Sequence, residues 1–250
     1  MSSVVAIVQA RLGSSRLPGK TLEILFDKPL LGHILERIAA ARTIDHIVVA
    51  TTTSGIDDAL IPVAEHFGAS VFRGSENDVL DRFFLASLRF GDSTIVRVTA
   101  DDPFKDPEVI DYAVNLRRKL NIDYCSNTLK PSYPEGIDIE VFSSSALEKA
   151  HIHARLPSER EHVTPYIWKR STEFSVHNFS APTDLSHLRW TIDYAADLEM
   201  ARAVYRHLYP RKRIFLMEDI LALAQEKPDL FHDAQQIVRN EGYLKSITQE

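Results

Sequence analysis

The residues from Gln9 to Lys20 read QARLGSSRLPGK, which sets three cations, Arg11, Arg16 and Lys20, among Gly13, Ser14, Ser15 and Gly19. Small residues let backbone N–H groups come close to an anion, while guanidinium and ammonium groups neutralise it. A triphosphate, with about four negative charges, is the kind of ligand such a loop suits. The cluster stands out because the whole chain carries a formal net charge of −6. That balance argues against broad, non-specific nucleic-acid binding, so a polyanion has to be held by a local basic pocket. The spacing is not that of a P-loop. The motif G-x-x-x-x-G-K-[ST] puts four residues between its glycines, whereas five separate Gly13 from Gly19, and Pro18 stands where the motif has its second glycine.

Carboxylates form the second group of interest. Asp101 and Asp102 follow the apolar run 94–98 in the sequence T-A-D-D-P, and Asp193 follows the run 188–192. Carboxylates are hard oxygen ligands of the type Mg²⁺ takes, one or two at a time, together with substrate phosphates and water. The plainer reading of Asp-Asp-Pro is a capped turn before a helix. Asp197 reads as a negative charge at a helix N-terminus, where the helix dipole favours it.

These residues need elements to position them. Residues 4–8 are β-branched and apolar and read as a buried strand. Helical spacing predicts a helix over roughly 30–42. A strand over 46–51, a helix over roughly 57–67 that Pro62 must delay or kink, a strand over 70–72 and a helix over roughly 77–90 follow. Residues 94–98 read as a strand, and Pro107 suits the first position of the next helix. Strand–helix alternation implies a mostly parallel sheet covered on both faces, with ligands outside the carboxyl ends of its strands. Later, alternating Ile137, Ile139 and Val141 suit an antiparallel strand over 133–142, and S-x-x-E at 158–161 has the form of a capping box opening a helix toward Trp168. Residues 174–179 and 188–192 read as strands, and the chain is helical from about 195.

With this much in place, the loop A-R-x-x-S-x-R-L-P-G-K, matched by Ala10, Arg11, Ser14, Arg16, Leu17, Pro18, Gly19 and Lys20, resembles the signature of the CMP-sugar synthetases, CMP-KDO synthetase in particular. Over nearly its full length the chain resembles the spore coat polysaccharide biosynthesis protein F (SpsF) family of cytidylyltransferase-like proteins. The stretches that carry the likeness are DVLDR (78–82), PEGIDIEVF (134–142), REHVTPYI (160–167) and LRWTID (188–193). The resemblance implies an α/β, GT-A-like nucleotide-diphospho-sugar transferase fold: a mostly parallel mixed sheet flanked by helices, with an inserted α+β subregion. It implies transfer of CMP from CTP with release of pyrophosphate, and Mg²⁺. Asp101 takes the metal position of the pattern G-D-x-P, with Ala100 in place of the glycine, and Asp193 takes the second metal position. Arg11 and Lys20 join Asp101 as catalytic residues, Ala10, Gly13, Ser14 and Arg16 complete the nucleotide loop, and Arg73 matches an arginine beside the base.

For the acceptor side the candidates are Tyr133, Asp138, Glu140, Glu161 and His162, of which a carboxylate or histidine would orient or deprotonate an acceptor hydroxyl. The acceptor itself is open between a keto sugar acid and a phosphate or phosphonate compound. Residues 1–124 read as the nucleotide-binding half, 125–185 as an insertion for acceptor and dimer contacts, and 186–250 as the second metal carboxylate with C-terminal helices. Asp81 and Arg82 read as a local salt bridge, Thr51 and Thr52 as hydroxyls satisfying nearby backbone, and Trp190 and Trp168 as core or dimer anchors. His151 and His153, two apart on a helix, face away from each other and share no metal.

The 250 residues, 44% hydrophobic and 26% charged, suit one soluble globular unit. The lone cysteine, Cys125, reads as a buried thiol, excludes an internal disulfide and fits a reducing compartment. No signal peptide or membrane span is read, so a cytoplasmic homodimer is expected. Two rivals are a GT-A-type glycosyltransferase using a finished nucleotide sugar and a non-catalytic nucleotide-binding protein. The first would not need a loop devoted to β- and γ-phosphates, and the second would not need both carboxylates.

Overall fold

The computed structural model describes residues 2–14, 16–231, 238–248 and 250, so Ser15 of the basic loop and residues 232–237 of the expected helical C-terminal stretch lie outside it. The run SVVAIVQ forms β1 (Ser3–Gln9) in the interior of the sheet. Val4, Ala6 and Val8 enter one core layer, Val5 and Ile7 the other. Apolar side chains on both faces are what a strand covered by helices on both sides requires.

A short antiparallel hairpin, β2 (Ile24–Leu25) and β3 (Lys28–Pro29), leads into α1 (Leu30–Ala39). Then come β4 (His46–Thr52), α2 (Leu60–His66), β5 (Ser70–Gly74), α3 (Val79–Ser87), β6 (Ser93–Thr99) and α4 (Pro107–Leu120). Asp106 caps α4 by accepting from Glu108 N, and Pro107 takes the first helical position as its missing N–H allows. Next follow β7 (Tyr124–Ser126), β8 (Glu140–Ser143), α5 (Ser144–His153), α6 (Pro157–His162), α7 (Pro165–Trp168) and β9 (Val176–Asn178). The chain closes with α8 (Ala195–Leu208), α9 (Met217–Glu226) and α10 (Glu241–Thr248).

The main sheet runs β5-β4-β1-β6-β8-β7-β9. β5, β4, β1 and β6 are parallel, β8 lies antiparallel to β6 and β7, and β9 runs parallel to β7. Helices α1, α2, α4, α8 and α9 cover one face; α3, α5 and α7 cover the other. From β1 the chain goes first to β4 on one side and later to β6 on the other. This strand-order switch opens a crevice at the carboxyl ends of β1 and β6, where Gln9 stands opposite Thr99.

The helix expected over 57–67 starts late, as Pro62 requires: a 3₁₀ turn (Gly55–Ala59) precedes an α-helix that begins at Leu60. Three expected elements come out differently. Of the strand expected over 133–142, the part from Glu140 joins a ladder, as β8, and Glu135 makes an isolated bridge: Pro134 has no N–H, Gly136 is left-handed, and the side chain of Asn127 takes Ile137 O and Ile139 N in place of a ladder. Residues 188–192 are extended but make a single bridge, Glu135 to Arg189, because Gly136 turns the partner chain away. The helix expected toward Trp168 is two short helices broken at Val163, and its capping carboxylate is Glu159, accepting from Arg155 N and Leu156 N, rather than Glu161.

Gly136 has φ +103, and a Cβ there would lie 2.9 Å from the backbone carbon of Trp190 and 3.0 Å from Thr191 N. Neither backbone atom can yield without moving the 188–193 segment. Gly136→Ala is expected to destabilise the protein by about 3 kcal/mol, read as a lowered urea midpoint; an unchanged midpoint would contradict this packing.

Candidate functional site

The crevice holds a cavity of about 380 Å³ lined by the loop residues Ala10, Arg11, Ser14, Arg16 and Lys20 and by Asp101 and Asp193. The loop is bent into place by few contacts. Ala10 N bonds Ala50 O, Gly19 N bonds Leu12 O at 3.0 Å, and Leu12 N reaches the buried carboxylate of Asp57 at 2.7 Å. Gly19 takes φ 76, which turns the chain so that Lys20 points back over the strand ends.

Lys20 is 7% exposed. Its ammonium donates to Asp101 Oδ2 and Asp193 Oδ1, each at 3.0 Å, and to Ile192 O at 2.5 Å. Burial alone would lower its pKa, but Asp101 and Asp193 outweigh burial and hold it above the ordinary lysine value. Asp193 also receives Arg16 Nη2 at 2.6 Å; burial works against its charge, yet Lys20 and Arg16 keep it below the usual carboxylate range.

Asp193 arrives here because Ile192 N bonds Asp101 O at 2.8 Å, tying the 188–193 segment to the end of β6. From behind, the buried Arg189 grips Asp193 Oδ2 at 3.0 Å and Asp197 Oδ1 at 2.6 Å, with Glu135 Oε2 at 3.4 Å from its Nε. Asp197 in turn accepts from Asp193 N and Tyr194 N at the start of α8, the N-terminal charge expected of it.

A second cavity, about 610 Å³, adjoins the first and shares Gln9, Arg16, Thr99, Asp101 and Asp193 with it. Asp138, Glu140 and His162 line it, whereas Glu161 lines the first. Glu140 is buried among Arg97, the Thr164 hydroxyl and Tyr124 Oη (2.7 Å); burial would raise its pKa, and Arg97 with these donors holds it below the usual range. Asp138 is paired with Arg239, and Lys105 bridges Asp102 (2.8 Å) and Asp138 O. His162 and Thr164 flank Val163, whose φ of 70 closes a tight turn with Thr164 N on His162 O at 2.8 Å. A β-branched residue there is strained, and the turn aims both neighbours at the cavity. Burial, then Arg97, push His162 down to about 4, so it is neutral near pH 7.

Three expected site residues lie elsewhere. Arg73 spends its guanidinium on Thr52 O (2.9 Å), Ser54 O (3.0 Å) and Asp58 (2.7 Å), bracing the turn after β4, and lines neither cavity. Gly13 sits exposed near Glu76, outside the cavity wall. Tyr133 packs its ring against Phe179 at 5.7 Å in the core. Asp81 pairs with His151 at 2.9 Å rather than with Arg82, whose Nη1 bonds Ser75 O. Thr52 donates to Asp57 as a local bond, but the buried Thr51 Oγ1 finds no hydrogen-bond partner among the described residues. Trp190 is core, Trp168 lines the second cavity, and Cys125 is buried with its thiol pushed up to about 11 by burial. Among residues sequence reasoning passed over, Arg97 was visible as a charge inside an apolar strand and Lys105 as a cation three positions after Asp102. Arg189 and the α10 residues Gly242, Lys245 and Ser246 carried no such signal.

A mostly parallel sheet whose switch-point crevice sets a basic loop against two carboxylates is that of the nucleotide-diphospho-sugar transferase fold. The chain belongs to the cytidylyltransferase family, whose sequence model matches residues 5–237. It is similar to the spore coat polysaccharide biosynthesis protein SpsF of Bacillus subtilis, with 34% identity over 236 residues, 92% of this chain and 97% of that protein. It is 36% identical over 114 residues to the 3-deoxy-manno-octulosonate cytidylyltransferase of Geobacter sulfurreducens, 45% of this chain and 44% of that one. The solved structure of a cytidylyltransferase from Leptospira borgpetersenii superposes with a TM-score of 0.88 at 33% identity, covering 95% of this chain and 99% of that chain. The protein is therefore a CTP-dependent cytidylyltransferase, and the glycosyltransferase and non-catalytic readings give way.

Burial, reinforced by Asp138, pushes Glu135 up to about 7 against the pull of Asn240 N–H and Arg189. The folded protein thus holds this proton more tightly than the unfolded chain, whose value is near 4.5. The stability involved is complete below that value and is lost as the pH rises through about 7. Relative to Glu135→Gln, the wild type is expected to lose on the order of 2–3 kcal/mol between pH 4.5 and 8. Parallel urea-unfolding curves for the two proteins across that range would refute it.

Proposed function

We propose that this cytidylyltransferase transfers CMP to a sugar acid, with Asp101 and Asp193 holding Mg²⁺ and the loop cations receiving the pyrophosphate. The observation that carries the reading is the pair of carboxylates meeting at one buried ammonium. Two hard oxygen donors facing a common positive charge fit the ligand set Mg²⁺ takes beside substrate phosphates. Bound there, Mg²⁺ would neutralise phosphate charge and orient the α-phosphate.

An acceptor oxygen attacks the α-phosphorus of CTP in line, a new P–O bond forms, and the bond from the α-phosphorus to the bridging oxygen breaks as pyrophosphate leaves. The chain's part is to position and neutralise. Lys20 and Arg11 stabilise charge on the departing pyrophosphate, and Arg16 assists. Arg189 keeps Asp193 oriented from the side away from the substrate, since it lines neither cavity. The acceptor enters the second cavity, where Asp138, Glu140 and His162 form a polar wall. A sugar acid is favoured over a phosphate or phosphonate acceptor because the Geobacter relative is named for one, and the SpsF likeness supports work in polysaccharide biosynthesis. A homodimer in the cytoplasm belongs to the same proposal, the lone cysteine suiting a reducing compartment.

The test is pyrophosphate release from CTP and Mg²⁺ over a panel of sugar acids and phosphorylated acceptors. Release with a sugar acid, abolished by a chelator, is expected. Lys20→Ala should lower kcat about 10²–10³-fold. Near-normal release by that variant, or turnover only with phosphorylated acceptors, would sink the assignment.

A further inference from the structure

The residues that match the family end at 237, yet α10 (Glu241–Thr248) lies beyond them and reaches into the site. Gly242 lines both cavities, Lys245 and Ser246 line the first, and Tyr243 lines the second. Glu241 is the α10 residue that meets the nucleotide loop. Its Oε2 accepts from Arg16 Nη1 at 3.3 Å and from Tyr194 Oη at 2.9 Å, while Oε1 lies 2.6 Å from Lys245 Nζ. Two cations and a hydroxyl thus converge on one carboxylate, which lines the second cavity beside Arg16, a residue of both cavities. A protein carboxylate and a phosphate oxygen make the same demand on a guanidinium, so only one can hold that face of Arg16 at a time.

The attachment of α10 is shallow. None of its residues is buried. It is fastened by Ser246 Oγ to His162 Nε2 (3.0 Å) and Glu161 Oε2 (2.8 Å), and by Tyr243 edge-on to the His162 and Trp168 rings at 5.2 and 6.0 Å. Contacts of this kind, partly or wholly exposed, open at lower cost than a packed core.

We infer that α10 is a built-in competitor for the phosphates of CTP: Glu241 holds Arg16 and Lys245, and an entering triphosphate displaces it and lifts the helix. The inference rests on the proposed placement of the phosphates at Arg16. It assigns Glu241 the role of setting nucleotide affinity, and α10 that of a wall that shifts between the two cavities as the nucleotide arrives.

Titration calorimetry of the full chain with Mg²⁺·CTP at low salt tests it, comparing the wild type with Glu241→Gln. The glutamine variant is expected to bind about two- to fivefold more tightly, the range an exposed ion pair commands. Cytidine, which has the base and no phosphate, should bind both proteins equally. Hydrogen exchange of the 241–248 amides should also speed up when Mg²⁺·CTP is added to the wild type. Equal or weaker CTP binding by the variant, a difference with cytidine as large as that with CTP, or unchanged or slowed exchange in α10 would overturn the inference alone. Failure of the wild type to bind CTP at all would overturn the proposed function, and this inference with it.

Discussion

In a partly desolvated space two carboxylates repel each other unless they share a proton or a cation, and here a cation lies between them. Asp101 follows β6, Asp193 precedes α8, and the ammonium of Lys20 stands 3.0 Å from each. At that separation and a local dielectric below that of water, attraction to one ammonium offsets the mutual repulsion of the acids and part of the desolvation of all three groups. The geometry of the nucleotide side follows from this contact. The loop after β1 must turn at Gly19 to return Lys20 over the strand ends, and the 188–193 segment must lie against Asp101, which the Ile192 N to Asp101 O bond secures. Arg189 and Asp197 then fix the far side of Asp193.

A cluster of this kind is also ready to exchange partners. Lysine is a compact charge on a flexible stem, able to leave one oxygen for another. In the proposed reaction it would pass to a phosphate, which would leave the two carboxylates to hold Mg²⁺. The acceptor side is built differently. Glu140 is held by Arg97, Tyr124 and Thr164, Lys105 bridges Asp102 and the Asp138 carbonyl, and Arg239 holds the Asp138 carboxylate. Its charges are committed to one another, so that wall presents a rigid polar surface. One side of the crevice is arranged to trade contacts and the other to keep its shape.

Much of the nucleotide side was legible in the sequence because its residues are contiguous or end a strong strand. The loop cations and Asp101 come just after β1 and β6, whose apolar, β-branched residues admit one reading. Asp193 was found by resemblance, since the stretch before it looks like a strand and is not one. Its geometry comes from Gly136 across the chain, and no local pattern reveals that. Arg73 misled for a related reason: it does end β5, but Thr52, Ser54 and Asp58 capture its guanidinium from the neighbouring strand's turn. Tyr133 was likewise drawn inward by Phe179. Side-chain partners from elsewhere in the fold decide such cases. The same holds for Arg189, an ordinary arginine in sequence that becomes the support of a site carboxylate only when Glu135, Asp193 and Asp197 meet around it.

On the proposed placement of Mg²⁺, Lys20 holds, between Asp101 and Asp193, the place the metal would take when nucleotide is bound. Anomalous diffraction from crystals grown with CTP and Mn²⁺ tests it most directly. The account predicts a metal peak coordinated by both carboxylates, with the Lys20 ammonium moved onto a phosphate oxygen. A metal bound elsewhere while Lys20 still bridges Asp101 and Asp193 would contradict it.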